Sequence, residues 1–335
     1  MKKIKKIIEN FVNVSLMSDK ERNEWSKIYS KLSYQSIDYI FDLINYRVAY
    51  LKSYNSKNFS LIFYFNGNPI AIVPIIIFNK KKNNFDSLGL LSPSFDKEVS
   101  KKLKFEIFSK YLEIIHEIKK NFSLKLKFNI GCLNYDDYEF LSFLNDKNFK
   151  IIGMNKIFLI KNKNSFEKIF SDFRKSYKPL INSNIKKYEP KIMNYNNFDE
   201  KIWSKFRKLH KKIAGKVTRK SDTWNHQKKA LLNNNAILVY LETQNKFLGF
   251  SFFYYTNDEA IYASAVFDEK SKNQKIPVGH LIQYEAIKFF IKKNIKNYKI
   301  ANAHYNKKSS LKEENILKFK KGFANSIVNE LILNN

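Results

Sequence analysis

Residues 59–78, FSLIFYFNGNPIAIVPIIIF, decide the fold. Two runs of β-branched and aromatic residues flank Asn66-Gly67-Asn68-Pro69. Asn-Gly between such runs marks a tight hairpin, because both residues accept the positive φ that the turn needs. The layout recurs in residues 236–255, AILVYLETQNKFLGFSFFYY, as a strand over 237–242, a turn around 243–246 and a strand over 247–255. Each hairpin leads into another strand, a long amphipathic helix and a further strand. These fall at 87–91, 97–120 and 124–130 in the first half, and at 260–267, 278–293 and 298–303 in the second. The order helix, β, β, β, helix, β therefore occurs twice. Strands joined through a crossover helix predict mixed α/β sheets with parallel pairs at the crossover. Two similar units predict a duplicated fold.

A polar Lys/Asn run after the strand-like stretch 151–160 sets the boundary, giving domains 1–162 and 163–335. Ser165 is placed to cap a helix running to about residue 187, and Pro179 inside it implies a kink or a break. A helix over 313–321 and a strand over 326–333 close the chain.

The composition is that of a folded protein, with 44% apolar and 16% aromatic residues, enough for a core in each unit. The net charge of +30 points to an anionic partner. Part of it reflects composition, since Lys, Asn, Ile, Phe and Tyr are all inflated and all have AT-rich codons. Cys132 is the only cysteine, which excludes an intrachain disulfide and a Cys-based zinc site and suits a reducing compartment. The longest apolar run, 70–78, contains Pro74 and is too short to span a bilayer. Glu9, Asn10 and Asn13 interrupt any signal-peptide core. The expectation is a soluble, cytoplasmic protein. Its basic, amphipathic N-terminus leaves peripheral membrane contact open, and no DNA partner is expected.

Chemistry-bearing residues concentrate late in the chain. Of five arginines, Arg174, Arg207 and Arg219 fall within 46 positions, and four of the five histidines lie between 210 and 304. Arg207, His210 and Ala214 share a helix face, Gly215 ends that helix, and Lys216 and Arg219 project from a loop before a helix capped by Thr223. Basic groups on such a loop suit phosphate or carboxylate. In the same segment, Trp224 reads as a sugar platform or a core anchor, and Gln227 as a polar contact. Val278 and Gly279 open a helix after Pro277, where free N–H groups favour phosphate or an oxyanion. His280 and Gln283 share a face of that helix. Asn302 and His304 share a face at the end of the next strand, where ligands gather in sheets of this kind. Phe319-Lys320-Lys321-Gly322-Phe323 reads as a helix end with a glycine cap between aromatic anchors. No Walker loop, GxGxxG, HExxH or GxSxG motif is present, and no metal site is expected.

Three of these stretches, in order, resemble the Fem-type aminoacyl transferases (FemA, FemB, FemX), which are built from GNAT acetyltransferase-like domains. The family's L-x-Q-W-E-A-I helix reads here Leu281-Ile282-Gln283-Tyr284-Glu285-Ala286-Ile287. A strand follows over 298–304, and then the F-K-x-G-F signature, here Phe319 to Phe323. A basic segment, Phe173-Arg174-Lys175-Ser176-Tyr177-Lys178, also recurs early in the second domain. The resemblance covers roughly 165–333 and implies an α/β fold of two tandem GNAT-like domains, with mixed β-sheets flanked by helices. It implies an N-acyltransferase that moves an aminoacyl or acyl group from an activated donor to an amine. The acceptor would be an amino sugar or nucleotide-linked sugar of a bacterial surface glycan. The donor, aminoacyl-tRNA or acyl-CoA, is a co-substrate, and no cofactor is permanently bound. The anionic partner is then a nucleotide-sugar, CoA or tRNA. Lys320 stabilises the oxyanion or donor, and Arg174, Lys178, Lys216 and Arg219 hold phosphates. His210, His280 and His304 are the candidates to take the amine proton. The acyl-CoA pyrophosphate motif is not intact around Gln274–Gly279, so the sequence departs there from ordinary acetyltransferases. Two other readings stay open: an acetyl-CoA-dependent N-acetyltransferase on the same fold, and a non-catalytic RNA-binding module resting on charge.

Overall fold

The computed structural model describes residues 2–335 except 19, 82–83, 123, 126, 218, 245, 270–274 and 305–309. Gln274, at the start of the acyl-CoA motif that is not intact, lies outside the described residues. The chain divides into two compact units, 1–156 with 328–335, and 157–327.

The first unit runs α1 (Lys2–Glu9), β1 (Val14–Leu16), α2 (Arg22–Lys31), α3 (Phe41–Tyr50), β2 (Lys57–Asn58), β3 (Leu61–Phe65), β4 (Asn68–Val73), β5 (Ile76–Lys81), β6 (Asn84–Ser87), β7 (Ser94–Phe95), α4 (Lys101–Asn121), β8 (Leu124–Lys125), β9 (Phe128–Ile130) and α5 (Tyr135–Asp146), and enters β10 (Lys150–Lys161). The β3–β4 turn has positive φ at Asn66 and Gly67, the geometry that the Asn-Gly pair favours. Pro74 ends β4, and β5 then pairs in a separate sheet with β2 and β6. The strand expected over 87–91 lies earlier, at Asn84–Ser87, and only Leu90 bridges onward, to Phe128. Ser100 caps α4 by accepting from the Leu103 N–H. Ile4 and Ile8 of α1 are fully buried in the unit's core. The apolar stripe that suggested membrane contact is therefore already covered by protein. Among the described residues, no helix is long and apolar enough to cross a membrane.

The second unit continues with α6 (Phe166–Asp172), α7 (Tyr177–Ile185), β11 (Lys191–Met193), α8 (Glu200–Ala214), α9 (Ser221–Leu232), β12 (Ala236–Thr243), β13 (Lys246–Tyr255), β14 (Glu259–Phe267), α10 (Val278–Lys292), β15 (Asn297–Ala303), α11 (Leu311–Lys321) and β16 (Ser326–Asn334). Its sheet order is β11-β12-β13-β14-β15, followed by the 157–161 end of β10. Residues 328–335 belong to the first unit, where Leu331, Ile332 and Leu333 pair antiparallel with β9. Ser165 does cap a helix, accepting from the Lys168 N–H. The single helix expected to 187 is instead two. Its break falls at 173–176, and Pro179 sits in the first turn of α7, where a missing N–H costs little. Likewise α9 starts at Ser221, so Thr223 is not its cap; the Thr223 hydroxyl donates to the Lys220 carbonyl at 2.7 Å.

Candidate functional site

The site starts at a change in strand pairing. β14 pairs antiparallel with β13 along its length, from Tyr255↔Ala260 to Gly249↔Phe267. On its other edge it pairs parallel with β15 at Glu259↔Asn297, Ala260↔Tyr298 and Ile261↔Lys299 only. Beyond Ile261 and Lys299 the two strands continue, to Phe267 and Ala303, but no longer pair with each other. The splay point is pinned by an ion pair from Lys299 Nζ to Glu259 Oε1 at 2.8 Å, with the Glu259 side chain 1% exposed. Along the unpaired part of β14 lies a cavity of about 520 Å³. Tyr262, Ser264 and Phe267 line one wall, His210 and Ala214 of α8 a second, and Phe319 and Lys320 of α11 a third.

Lys320 is the one titratable group of that cavity whose environment changes its chemistry most. Its Nζ stands 4.6 Å from the centroid of the Tyr262 ring. Burial alone lowers its pKa to about 8, and no carboxylate among the described residues pairs with it. About a tenth of such an amine is neutral at pH 7. The rest is an ammonium held in a poorly solvated place, where its field is strong. The Tyr262 hydroxyl is pushed up to about 12, mainly by burial, with Ser251 and Gln283 beside it. Sequence reading missed Tyr262. The available signal was a lone aromatic in the small-residue strand Ala260-Ile261-Tyr262-Ala263-Ser264-Ala265. Gln283, expected to contact substrate, is 1% exposed and accepts from the Tyr298 hydroxyl at 2.7 Å. It braces the sheet behind Tyr262 and does not reach the cavity.

Arg174 and Lys178, expected to hold phosphates, are spent on helix ends. Arg174 Nη2 donates to the Lys318 carbonyl at 2.9 Å, its backbone N–H donates to the Gly322 carbonyl at 2.8 Å, and Nη1 reaches the Tyr177 hydroxyl at 3.3 Å. That hydroxyl donates to the Phe319 carbonyl at 3.0 Å. The last carbonyls of α11 are thus closed by one guanidinium and one phenol, which fixes the turn carrying Lys320. Lys178 Nζ similarly donates to the Ser171 carbonyl at the end of α6. Gly322 does follow α11, but in right-handed backbone, with φ −66. Its glycine is needed for space, because a Cβ there would lie 2.3 Å from Tyr177 Cε2. Gly322→Ala is therefore expected to cost about 1–3 kcal/mol, read as a fall in the urea midpoint, and to slow any reaction that depends on Lys320.

The three histidines separate. His280 packs between Tyr177, Phe319 and Phe323 at ring separations of 4.4, 4.9 and 5.9 Å. Burial first, and the Arg174 charge second, lower its pKa to about 4. It is a packing residue of the α11 anchor and does not line the cavity. His304 and Asn302 are exposed at the end of β15 and also do not line it. His210 does, and its pKa is lowered by burial and then by the Arg219 charge, so it is neutral at pH 7. Val278 and Gly279 open α10 as expected, but the Val278 N–H already donates to the Ile276 carbonyl at 2.9 Å. The space beside Gly279 is filled by Phe319 and Phe267, 3.3 and 3.5 Å from where its Cβ would stand.

Trp224 resolves as a core anchor. It is 6% exposed and packs on Trp203, Phe206 and His210. The Arg207 and Arg219 guanidiniums lie 5.9 and 5.3 Å from its ring. Gln227 is fully buried and accepts from Arg219 Nη1 at 3.2 Å, so it positions that arginine. Lys216 is exposed on the loop after Gly215, whose φ of +66 ends α8 as the sequence implies.

The repeated unit and the splayed parallel pair define a tandem GNAT-like α/β protein. No protein-family model matches the chain, and neither does any curated protein. Solved structures do. FemX is similar with a TM-score of 0.64 at 10% identity, covering 96% of each chain. The C-terminal DUF2156 domain of a putative lysylphosphatidylglycerol synthetase from Agrobacterium fabrum gives 0.58 at 8% identity, covering 93% of this chain and 90% of that one. A conserved protein of unknown function from Bacteroides thetaiotaomicron gives 0.56 at 11% identity, covering 96% and 99%. At these identities the likeness establishes the fold.

Proposed function

We propose that the protein is an N-acyltransferase acting in the splayed cleft of its second unit. The observation that carries this reading is Lys320, a half-buried amine with no carboxylate partner among the described residues, lining a cavity beside Tyr262. In the reaction an uncharged amine attacks the carbonyl carbon of an ester or thioester. The new C–N bond forms, the carbonyl oxygen takes negative charge, and the C–O or C–S bond then breaks. The Lys320 ammonium stabilises that oxyanion, a contribution of about 3 kcal/mol for a well-placed donor. His210, which lines the same cavity, accepts the proton that the attacking amine must lose. That proton passes from the His210 imidazolium to the leaving oxygen or sulfur as it departs.

The acceptor in this reading is an amino sugar or sugar-linked amine of a bacterial surface glycan, and the donor an aminoacyl-tRNA or acyl-CoA. The support is the resemblance of the 281–287 and 319–323 motifs, together with a fold shared with FemX. Both donors are made in the cytoplasm, where the reading places the protein. The test is incubation with amino-sugar nucleotides and either acetyl-CoA or charged tRNA, with mass spectrometry of the products. A product whose mass gain matches one donor identifies that donor. No product from any donor, with strong salt-dependent RNA binding, overturns the enzyme reading in favour of an RNA-binding module.

A further inference from the structure

We propose that the group transferred is an uncharged alkyl acyl chain of roughly ten carbons, and not an aminoacyl group. The proposal rests on the transfer reading and names the acyl class that the Lys320 cavity takes. Apart from His210, Ser264, Lys312, Lys320 and the Tyr262 hydroxyl, the described lining of that cavity is apolar, with Phe267 and Phe319 its largest apolar side chains. The apolar surface continues along α11. A second hollow of about 520 Å³ shares Lys312, Ile316 and Phe319 with the first and adds Leu311 and Asn315. Leu311, Asn315 and Phe319 follow one another at four-residue spacing on α11, as do Lys312, Ile316 and Lys320, so the two rows form one helix face. On it, Leu311 is 75% exposed and Ile316 45% exposed. Aliphatic side chains left in water and continuous with a cavity mark a surface that an apolar ligand covers. At about 1.5 Å per residue, Lys320 and Leu311 stand about 13 Å apart along the helix. A zigzag chain of roughly ten carbons, with bonds of about 1.5 Å, covers that length.

Charge decides what the group is not. In an aminoacyl group the ammonium sits on the carbon next to the carbonyl, which would place it beside Lys320. The lining there already carries Lys312, Lys320 and His210, and Arg219 Nη1 stands 3.5 Å from Ser264 Oγ on the same wall. No carboxylate is among the described lining residues of either hollow. Acids adjacent in sequence are committed elsewhere: Asp268 pairs with Lys246 at 3.0 Å, and Glu313 accepts from the Ser310 N–H at 2.9 Å at the start of α11. An ammonium in this place loses water, meets like charges and finds no counter-charge. An alkyl chain meets none of these penalties, and each methylene fully buried tightens binding about fourfold.

The donor is then an acyl thioester. The acceptor amine attacks its carbonyl carbon, the C–N bond forms and the C–S bond breaks. The amine proton reaches the leaving sulfur through His210, giving an N-acyl amide and a free thiol.

The test begins with calorimetric titration of the full chain with acetate, hexanoate, decanoate and 2-aminodecanoate at one pH and ionic strength. The carboxylate of each probe stands in for the oxyanion at Lys320. Decanoate is expected to bind at least about tenfold more tightly than hexanoate, and 2-aminodecanoate at least about tenfold more weakly than decanoate. Leu311→Ser and Ile316→Ser change exposed side chains and are each expected to weaken decanoate at least about threefold. Ile327→Ser, at another exposed apolar position of the second unit, should not. Transfer assays follow, with acetyl-, hexanoyl- and decanoyl-CoA and alanyl-tRNA as donors, on glucosamine nucleotides and on decyl glucosaminide. kcat/KM should rise at least about tenfold from acetyl-CoA to decanoyl-CoA, with alanyl-tRNA inactive. Equal binding of hexanoate and decanoate overturns the proposal, as does unchanged decanoate affinity in both groove variants. So does 2-aminodecanoate binding as well as decanoate. Transfer from alanyl-tRNA, or transfer that gains from the alkyl chain of the acceptor and not of the donor, also overturns it and leaves the transferase reading standing. Binding that follows chain length, with no transfer from any donor, would instead reject the transferase reading and leave the groove as an alkyl-chain site.

Discussion

Replacing Lys320 by methionine will lower the rate of acyl transfer by about 10²–10³-fold, while the protein becomes more resistant to urea at pH 7. The first effect follows from removing the half-buried cation that faces the carbonyl, because the other lysine of the cavity lining, Lys312, is exposed and its charge is screened by water. The second follows from the sign of its pKa. Burial holds the folded-state value near 8, below the 10.5 of the free side chain. Between those values the unfolded chain binds the proton and the folded one does not, so stability rises with pH through that window. Below about 8 the folded protein carries a buried charge at a cost, and methionine removes that cost at similar volume. The pH profile gives an independent check. Activity needs the ammonium at Lys320 and a neutral imidazole at His210. It should therefore fall on the alkaline side near pH 8, and on the acid side only below the ordinary histidine range. A Lys320→Met protein with full activity, or a rate that keeps climbing above pH 9, would remove Lys320 from the mechanism.

Replacing Lys104 by alanine will destabilise the first unit by about 3–5 kcal/mol. Lys104 Nζ lies 2.7 Å from Asp136 Oδ1 and 3.0 Å from Glu139 Oε2, and the two carboxylate side chains are 2% and 7% exposed. Burial by itself would lower the lysine pKa, but hydrogen bonds and charges from Asp136 and Glu139 outweigh it and raise it. The ammonium also lies over the rings of Phe95 and Tyr135, at 5.3 and 5.5 Å. Without it, two buried carboxylates face each other unpaired. Lys104→Met combined with Asp136→Asn and Glu139→Gln should recover most of the stability. Urea midpoints of the single and the triple variant would measure both effects, and a triple variant as unstable as Lys104→Ala would reject the electrostatic account.

Much of the fold was legible because it is written in near neighbours. The Asn66-Gly67 turn needs only two residues with positive φ, the 259–267 strand only its composition, and α10 only its apolar period and Pro277 at its start. The Gly215 and Ser165 caps read correctly for the same reason. Pro179 misled because its effect depends on where the helix starts, and Phe173–Ser176 had already broken it. The site was legible in part. Lys320 and His210 line one cavity, and Arg219 reaches its wall at Ser264. Arg174, Lys178, Gln283 and His280 carry the right chemistry but spend it on helix ends, a buried hydrogen bond and aromatic packing.

The sequence by itself determined the two hairpins, the duplicated order of elements, the excess of positive charge and the segment in which the reactive groups collect. Only the tertiary structure decided which of those groups are free to act. The Arg174 guanidinium is drawn to the carbonyl of Lys318, more than 140 positions away. Lys320 is activated by burial against Tyr262, a residue on another element. Local periodicity depends on neighbours two to four residues along the chain, whereas desolvation and hydrogen-bond partnership depend on what packing brings from elsewhere.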